Sequence, residues 1–267
     1  MTPSDRIYDS PRLAAAYAYD RPPVHQPIIQ AIGQSLQITT RRRRALDIGC
    51  GAGRSTAALE ALAETVIGLE PLRTMLTHSR AVAPHARFLA GQAERLPFAA
   101  GAFDLITAAG SLNYTDLNLF LPDATRVLAP SGVLIIYDFS VGRRMRGDHR
   151  LDAWFASFQR RYVSPPGYDL DVRGLTYSQS GLRLQLYEEL EIAVPMTLSS
   201  YLSYVLSETN VEVAISSGLS ETAIRTWCQS TLADLFGDTS HDVLFEAYVA
   251  YVCRDGRAHG RRSPYLA

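Results

Sequence analysis

The stretch Leu46-Asp47-Ile48-Gly49-Cys50-Gly51-Ala52-Gly53-Arg54-Ser55-Thr56, followed by Gly68-Leu69-Glu70-Pro71, decides the fold. An apolar strand ends in an acid, turns through alternate glycines and opens a helix. A second acid then closes the next apolar run, about 20 residues on, where a carboxylate can grip a ribose diol beside a glycine turn. That pattern points to a nucleoside cofactor. The dinucleotide fingerprint G-x-G-x-x-G fails in both frames, because its third glycine would be Arg54 or Thr56. A pyrophosphate needs open backbone amides at a helix start. A cofactor without phosphate needs only a close backbone approach, an acid for its ribose and a slot for its base.

Alternating strands and helices extend on both sides. Ala45–Ile48, Val66–Leu69, Ala86–Leu89, Phe103–Ala108 and Val133–Tyr137 read as buried strands, with helices such as Ser55–Ala63 and Pro71–Ala81 between them. Short loops in such a series imply a parallel sheet with right-handed crossovers, whose ligands sit beyond the carboxyl ends of the strands. Residues 1–40 read as a helix, a proline turn at Pro22, Pro23 and Pro27, and a second helix. Arg143 to Arg150 form an Arg-rich loop, followed by an aromatic helix around Trp154 and Phe158 and a turn at Pro165-Pro166-Gly167. Residues 183–194 and 243–253 read as strands. Residues 196–218 and Glu221–Phe236 read as helical, and the tail from Arg254 to Ala267 as polar and mobile.

These segments resemble the class I S-adenosylmethionine-dependent methyltransferases. Beyond the glycine turn, Gly91-Gln92-Ala93-Glu94-Arg95-Leu96-Pro97-Phe98 is similar to the family's adenine loop. Phe103-Asp104-Leu105-Ile106-Thr107-Ala108-Ala109 is similar to its fourth strand, and Arg126-Val127-Leu128-Ala129-Pro130-Ser131-Gly132-Val133-Leu134-Ile135-Ile136 to its helix, turn and fifth strand. The resemblance implies a Rossmann-like, mostly parallel seven-stranded α/β sheet with an antiparallel closing hairpin, helices on both faces and an inserted lid. It divides the chain into a helical cap (1–40), a cofactor-binding core (41–140), an acceptor-side lid that includes the strand near 183–194 (141–240), and a closing strand with tail (241–267).

The resemblance also implies roles. S-adenosyl-L-methionine is the cofactor and S-adenosyl-L-homocysteine the product. Asp47 holds the methionine ammonium and braces the turn, and Gly49, Cys50 and Gly51 contribute backbone. Glu70 takes the ribose hydroxyls, and Pro71 and Met75 flank the adenine. Gln92, where relatives carry Asp, and the Ala93 backbone receive its edge, with Ala108 at the strand exit. Tyr17 and Arg21 of the leader reach the methionine carboxylate, for which an arginine fork is well shaped. Asn113 and Tyr114 stand where relatives carry a His-Trp pair. With Tyr201 and Tyr204 they are the acceptor-pocket candidates, and no catalytic base is identified. Tyr162, Tyr168, Glu208 and Asn210 are further lid candidates.

The chain's 267 residues, 47% of them hydrophobic and 20% charged, carry a net charge of −1. That balance argues against a broad nucleic-acid face. The run Arg41–Arg44 reads as a solvated turn before the first strand. The three cysteines, Cys50, Cys228 and Cys253, lack metal-ligand or C-x-x-C spacing, so no metal is expected and the compartment reads as reducing and cytoplasmic. No run approaches the roughly 20 apolar residues that span a bilayer. All basic residues other than histidine are arginine, which excludes a Tyr-x-x-x-Lys dehydrogenase pair and all lysine chemistry. The expected activity is methyl transfer to a small organic acceptor by in-line displacement. The alternatives are a non-catalytic domain of the same fold that binds cofactor or a partner, and methylation of a macromolecule. Oligomeric state is not legible.

Overall fold

The computed structural model describes residues 7–164 and 170–255. Its centre is an eight-stranded sheet. The strands are β1 (Arg42–Ile48), β2 (Ala63–Glu70), β3 (Arg87–Ala90), β4 (Phe103–Ala109), β5 (Leu128–Phe139), β6 (Arg144–Met145), β7 (Leu182–Met196) and β8 (His241–Arg254). The order is β3-β2-β1-β4-β5-β8-β6, with β7 also paired to β8. The first five strands are mutually parallel, and β8 runs antiparallel to β5, β6 and β7. The parallel strands carry continuous apolar runs because both faces are covered. Leu105, Val133, Ile135 and Tyr137 enter one core, while Leu46, Ile106, Leu134 and Ile136 enter the other.

The leader supplies α1 (Pro11–Tyr19) and α2 (His25–Ser35). Ser10 caps α1 by accepting from the Leu13 amide, and Pro11 opens it, where a missing N–H costs nothing. The core helices are α3 (Arg54–Leu59), α4 (Arg73–Leu76), α5 (Ser79–Val82) and α6 (Leu117–Val127). Beyond β6 come α7 (Arg150–Arg161), α8 (Leu198–Leu206), α9 (Thr209–Ser216) and α10 (Glu221–Phe236). The expected helix over 71–81 is two short pieces, α4 and α5, and that over 196–218 is α8 and α9. In the second case the break falls at Ser207-Glu208, the latter capping α9 in an extended conformation.

The eighth strand, β6, lies inside what the sequence suggests is an Arg-rich loop. It pairs with Val243 and Leu244. Arg144 reaches Glu246 at 2.6 Å, and Arg146 reaches Asp242 at 3.4 Å and Glu191 at 3.5 Å. Arg143 and Arg150 likewise meet Asp152 at 3.4 Å and Asp148 at 2.6 Å. Backbone pairing and exposed ion pairs, which leave no hydrophobic period, set this strand. Arg42, Arg43 and Arg44 belong to β1 itself rather than to a turn before it. Arg254 ends β8 and donates to the Leu128 carbonyl at 2.8 Å, so the polar tail begins one step later. The call of a mobile tail from 256 on, the turn at 165–167 and Tyr168 lie outside the described residues.

Tyr201 and Tyr204 are fully buried on α8, within the core that α7, α10, β5 and β8 share. The Tyr201 hydroxyl donates to the Gly142 carbonyl at 2.8 Å, and the Gly142 amide donates to the Tyr204 hydroxyl at 3.1 Å. They lock the β5–β6 connection onto α8 and do not line the cavity described below, which corrects their placement in an acceptor pocket. Tyr204→Phe strips the acceptor from a buried amide and should cost about 1–3 kcal/mol. Chemical denaturation with an unchanged m-value checks this.

Candidate functional site

The carboxyl ends of β1, β2, β4 and β5 meet in one cavity of about 340 Å³. Gly49 and Gly51 lie at its floor and Gly53 follows behind the wall, and all three hold positive φ, at 62°, 52° and 94°. A Cβ on Gly49 would stand 2.4 Å from the Ser111 Cβ, so only glycine lets the turn pass the β4 exit.

Asp47 holds this turn from below. Ser55 and Thr56, in the first turn of α3, both donate to its Oδ2 at 2.6 Å, and Thr107 of β4 donates to Oδ1 at 2.9 Å. The side chain is fully buried and is absent from the cavity wall. Burial raises its pKa, while the hydroxyls pull it down. Of the two roles expected from the resemblance, the structure places Asp47 in the bracing one. The other role expected of it, holding an ammonium directly or through water, has no direct route here, since the carboxylate is off the cavity wall. Ala108 is likewise buried behind the wall, which Ala109 and Gly110 form instead.

Glu70 ends β2 and does reach the cavity. Its two oxygens accept the Gly51 and Leu72 amides, each at 3.0 Å. A carboxylate has about four acceptor positions, so two remain for a diol. Burial raises its pKa against these two amides. Pro71, Leu72, Met75, Gln92 and Ala93 line the same end. Arg126 of α6 fixes the loop that bears Gln92 by donating to the Leu96 carbonyl at 2.8 Å and the Phe98 carbonyl at 2.6 Å.

The leader roofs the cavity, its first helix packing against α4, which bears Met75. Tyr17 and Arg21 line the cavity, as does Tyr8, whose hydroxyl lies 3.0 Å from that of Tyr114. Arg21 does not offer a free fork. It pairs with Glu208 at 2.7 Å, donates to the Ser207 carbonyl at 3.0 Å and lies 4.3 Å over the Tyr17 ring. Although burial opposes its charge, Glu208 holds its pKa above the ordinary arginine value. No local pattern announces this pair, because its members lie 187 residues apart.

Arg54, which opens α3, also lines the cavity. It donates to the Ala18 carbonyl at 3.1 Å, and its Nε is buried without a partner. Burial, and then Arg21, lower its pKa. Among the described residues no carboxylate pairs with it. Asn113 is not on the cavity wall, but Tyr114 is. Two further wall residues carry chemistry that no motif announced, His25 of α2 and Asp138 of β5. His25 Nδ1 lies 3.0 Å from the Tyr137 hydroxyl. Burial, then Arg54 and Arg21, hold its pKa down to about 3.

The residues at this site fit S-adenosylmethionine on structural grounds. The glycine turn brings backbone to the cavity wall, Glu70 retains free acceptor positions, and the buried Nε atoms of Arg54 and Arg21 have no partner.

Residues 46–136 match the family model of the methyltransferase domain. An uncharacterised methyltransferase from Synechocystis is 32% identical over 99 residues, 36% of this chain and 47% of that protein. A demethylmenaquinone methyltransferase from Beutenbergia cavernae is 35% identical over 98 residues, 36% of this chain and 41% of that protein. The chain therefore matches less than half the length of these relatives. In fold, it resembles a protein from Anaeromyxobacter dehalogenans described as a type II methyltransferase. That likeness has a TM-score of 0.65 at 18% identity over 88% of this chain and 98% of that one. The YcgJ protein of Bacillus subtilis follows, with a TM-score of 0.50 at 22% identity over 85% and 99%.

Two outcomes test this geometry. Asp47→Ala leaves three buried hydroxyls without their acceptor and should cost about 3 kcal/mol of stability, read as a lowered denaturation midpoint. His25 binds fewer protons folded (about 3) than unfolded (6.5), so it contributes stability above pH 6.5 that is lost as pH falls. Between pH 6 and 4.5 the wild type should lose up to about 1.4 kcal/mol per pH unit more than His25→Gln does. Parallel denaturation curves for the two proteins across that window would contradict it.

Proposed function

We propose, from the match of residues 46–136 to the methyltransferase-domain family model, that this protein transfers the methyl group of S-adenosylmethionine to a small organic acceptor. The observation that carries the reading is the single cavity in which Glu70, the glycine turn and the aromatic leader meet.

S-adenosylmethionine supplies a methyl group activated on a sulfonium. The protein's task is to hold it and to align a nucleophile, with water kept out. The free acceptor positions of Glu70 take the ribose hydroxyls, and its backbone bonds fix their direction. The backbone of Gly49, Cys50 and Gly51 approaches the methionine part, with no Cβ at Gly49 or Gly51 to stand in the way. Pro71, Leu72 and Met75 flank the adenine, whose edge meets the Gln92 side-chain carbonyl and the Ala93 backbone. Arg54, in place of Arg21, takes the methionine carboxylate: both arginines have a buried Nε without a partner, but Arg21 is paired with Glu208, whereas no carboxylate among the described residues pairs with Arg54. Tyr8, Tyr17, Tyr114 and Phe139 wall the remaining space with rings, which suits a small and partly apolar acceptor.

The demethylmenaquinone methyltransferase among the relatives is named for a small organic acceptor of its own. All three cysteines are free and buried, in keeping with a reducing, cytoplasmic setting. Among the described residues no helix is long and apolar enough to cross a membrane. None of their Cys, His, Asp and Glu side chains cluster as metal ligands.

Calorimetric titration tests the assignment. The wild type should bind S-adenosylmethionine and S-adenosylhomocysteine, and Glu70→Ala should weaken both at least tenfold. The wild type should also prefer S-adenosylhomocysteine to 5′-methylthioadenosine, which lacks the amino-acid tail. Arg54→Gln should shrink that preference about tenfold, as loss of a charge-assisted bond does, while Arg21→Gln leaves it in place. Failure of the wild type to bind either nucleoside would remove the methyltransferase reading.

A further inference from the structure

Three carboxylates line the cavity, and two are engaged. Glu70 holds the Gly51 and Leu72 amides, and Glu94 accepts the Asp116 amide at 2.9 Å. The third, Asp138, accepts only the amide of its own neighbour Phe139, at 2.8 Å. Among the described residues it has no ion pair. It stands at the carboxyl end of β5, behind Gly110, whose φ is +63° and whose added Cβ would fall 2.9 Å from Asp138 Oδ1. A glycine is therefore required for the β4 exit to pass over this carboxylate.

Its position sets what it can serve. Across the sheet the cavity runs from Glu70 on β2, past the glycine turn after β1 and Ser111 after β4, to Asp138 on β5. The nucleoside end and Asp138 are thus at opposite ends. The cavity's cations do not answer it. Arg21 is taken by Glu208, Arg54 stands at the glycine turn, and burial keeps His25 neutral. An uncompensated carboxylate in a largely apolar cavity costs free energy that a bound cation recovers better than a hydroxyl does. The wall beside it is aromatic, with Phe139 and the His25 ring 5.2 Å apart, and aromatic faces also favour cations. Burial raises the Asp138 pKa, which narrows the gap to a nitrogen acid.

Building on the proposed methyl transfer, we propose that the acceptor is an amine, held as its ammonium by Asp138, and that Asp138 takes the proton that must leave before nitrogen can attack. The step balances. One N–H proton passes to the carboxylate and frees the nitrogen lone pair. That pair forms the new N–C bond to the methyl group as the methyl–sulfur bond breaks, and its electrons remain on sulfur as a neutral thioether. The carboxyl proton is then released to solvent. Asp138 is on this reading a catalytic residue, and the favoured substrates are primary and secondary amines of small size with an apolar body.

The test uses the full chain saturated with S-adenosylhomocysteine, titrated with benzylamine, phenethylamine and cyclohexylamine, each against the alcohol of the same skeleton. At least one amine should bind about tenfold more tightly than its alcohol. Asp138→Asn should abolish that difference and leave S-adenosylhomocysteine affinity within twofold, which also reports that the variant is folded. Alcohols that match or exceed all three amines would overturn the proposal and leave a hydroxyl acceptor as the better fit, and an amine preference that survives Asp138→Asn would overturn it by showing that another group selects the amine. A large loss of S-adenosylhomocysteine affinity in Asp138→Asn would overturn it too, by assigning the carboxylate to the cofactor's own ammonium. If the wild type fails to bind S-adenosylhomocysteine, the underlying methyl-transfer reading itself has failed.

Discussion

Everything at the carboxyl edge of the sheet hangs on one buried carboxylate. Asp47 gathers hydroxyls from Ser55 and Thr56 of α3 and from Thr107 of β4, so a single side chain ties β1 to its neighbour strand and to the helix that follows the turn. The glycine turn between them has positive φ at each glycine and could not hold its shape through local preference. It is held because both of its ends are fastened to the same group. Glu70 then clamps the turn from the other side through the Gly51 amide. The two acids that make the sequence legible therefore divide the labour. One is spent inside the fold, and the other keeps acceptor positions for a ligand.

The parallel half of the sheet was readable because its signals are local. Apolar runs of strand length, glycine turns and intervening helices recur with short spacing, and β1 to β5 fall close to the expected runs. Glu70, Gly49, Gly51 and Gln92 lie within a few residues of a strand end and line the cavity, as does Met75 of α4. What could not be read is non-local. Asp47 and Glu70 look alike in sequence, each ending an apolar strand, and only the hydroxyls of α3 and β4 decide that the first turns inward. Arg21 looks free until Glu208 is brought to it. Tyr201 and Tyr204 look like pocket residues until α8 is seen to turn them onto Gly142. The strand β6 is only Arg144 and Met145, and its partners lie about 100 residues on, at Val243 and Leu244.

His25 and Asp138 illustrate a different limit. A lone histidine after two prolines and an aspartate at the end of a hydrophobic strand carry no motif. Their chemistry comes from what surrounds them. The same burial drives the histidine toward its neutral form and makes the aspartate's charge costly, so the far half of the cavity has the character of an apolar chamber with one acid in it.

The roof is built from distant parts of the chain. Arg12 and Arg21 of the leader meet Glu212 at 2.6 Å and Glu208 at 2.7 Å, and these two acids precede and enter α9. The partners are separated by 200 and 187 residues. During synthesis Glu70, the glycine turn and the leader all emerge before the residues that anchor the roof. Contacts of such separation close long loops and carry a larger entropic cost than local ones. The roof can therefore close over the glycine turn only once α9 has been made, so the wall of the cavity depends on the C-terminal part of the chain as much as on the motif-bearing core.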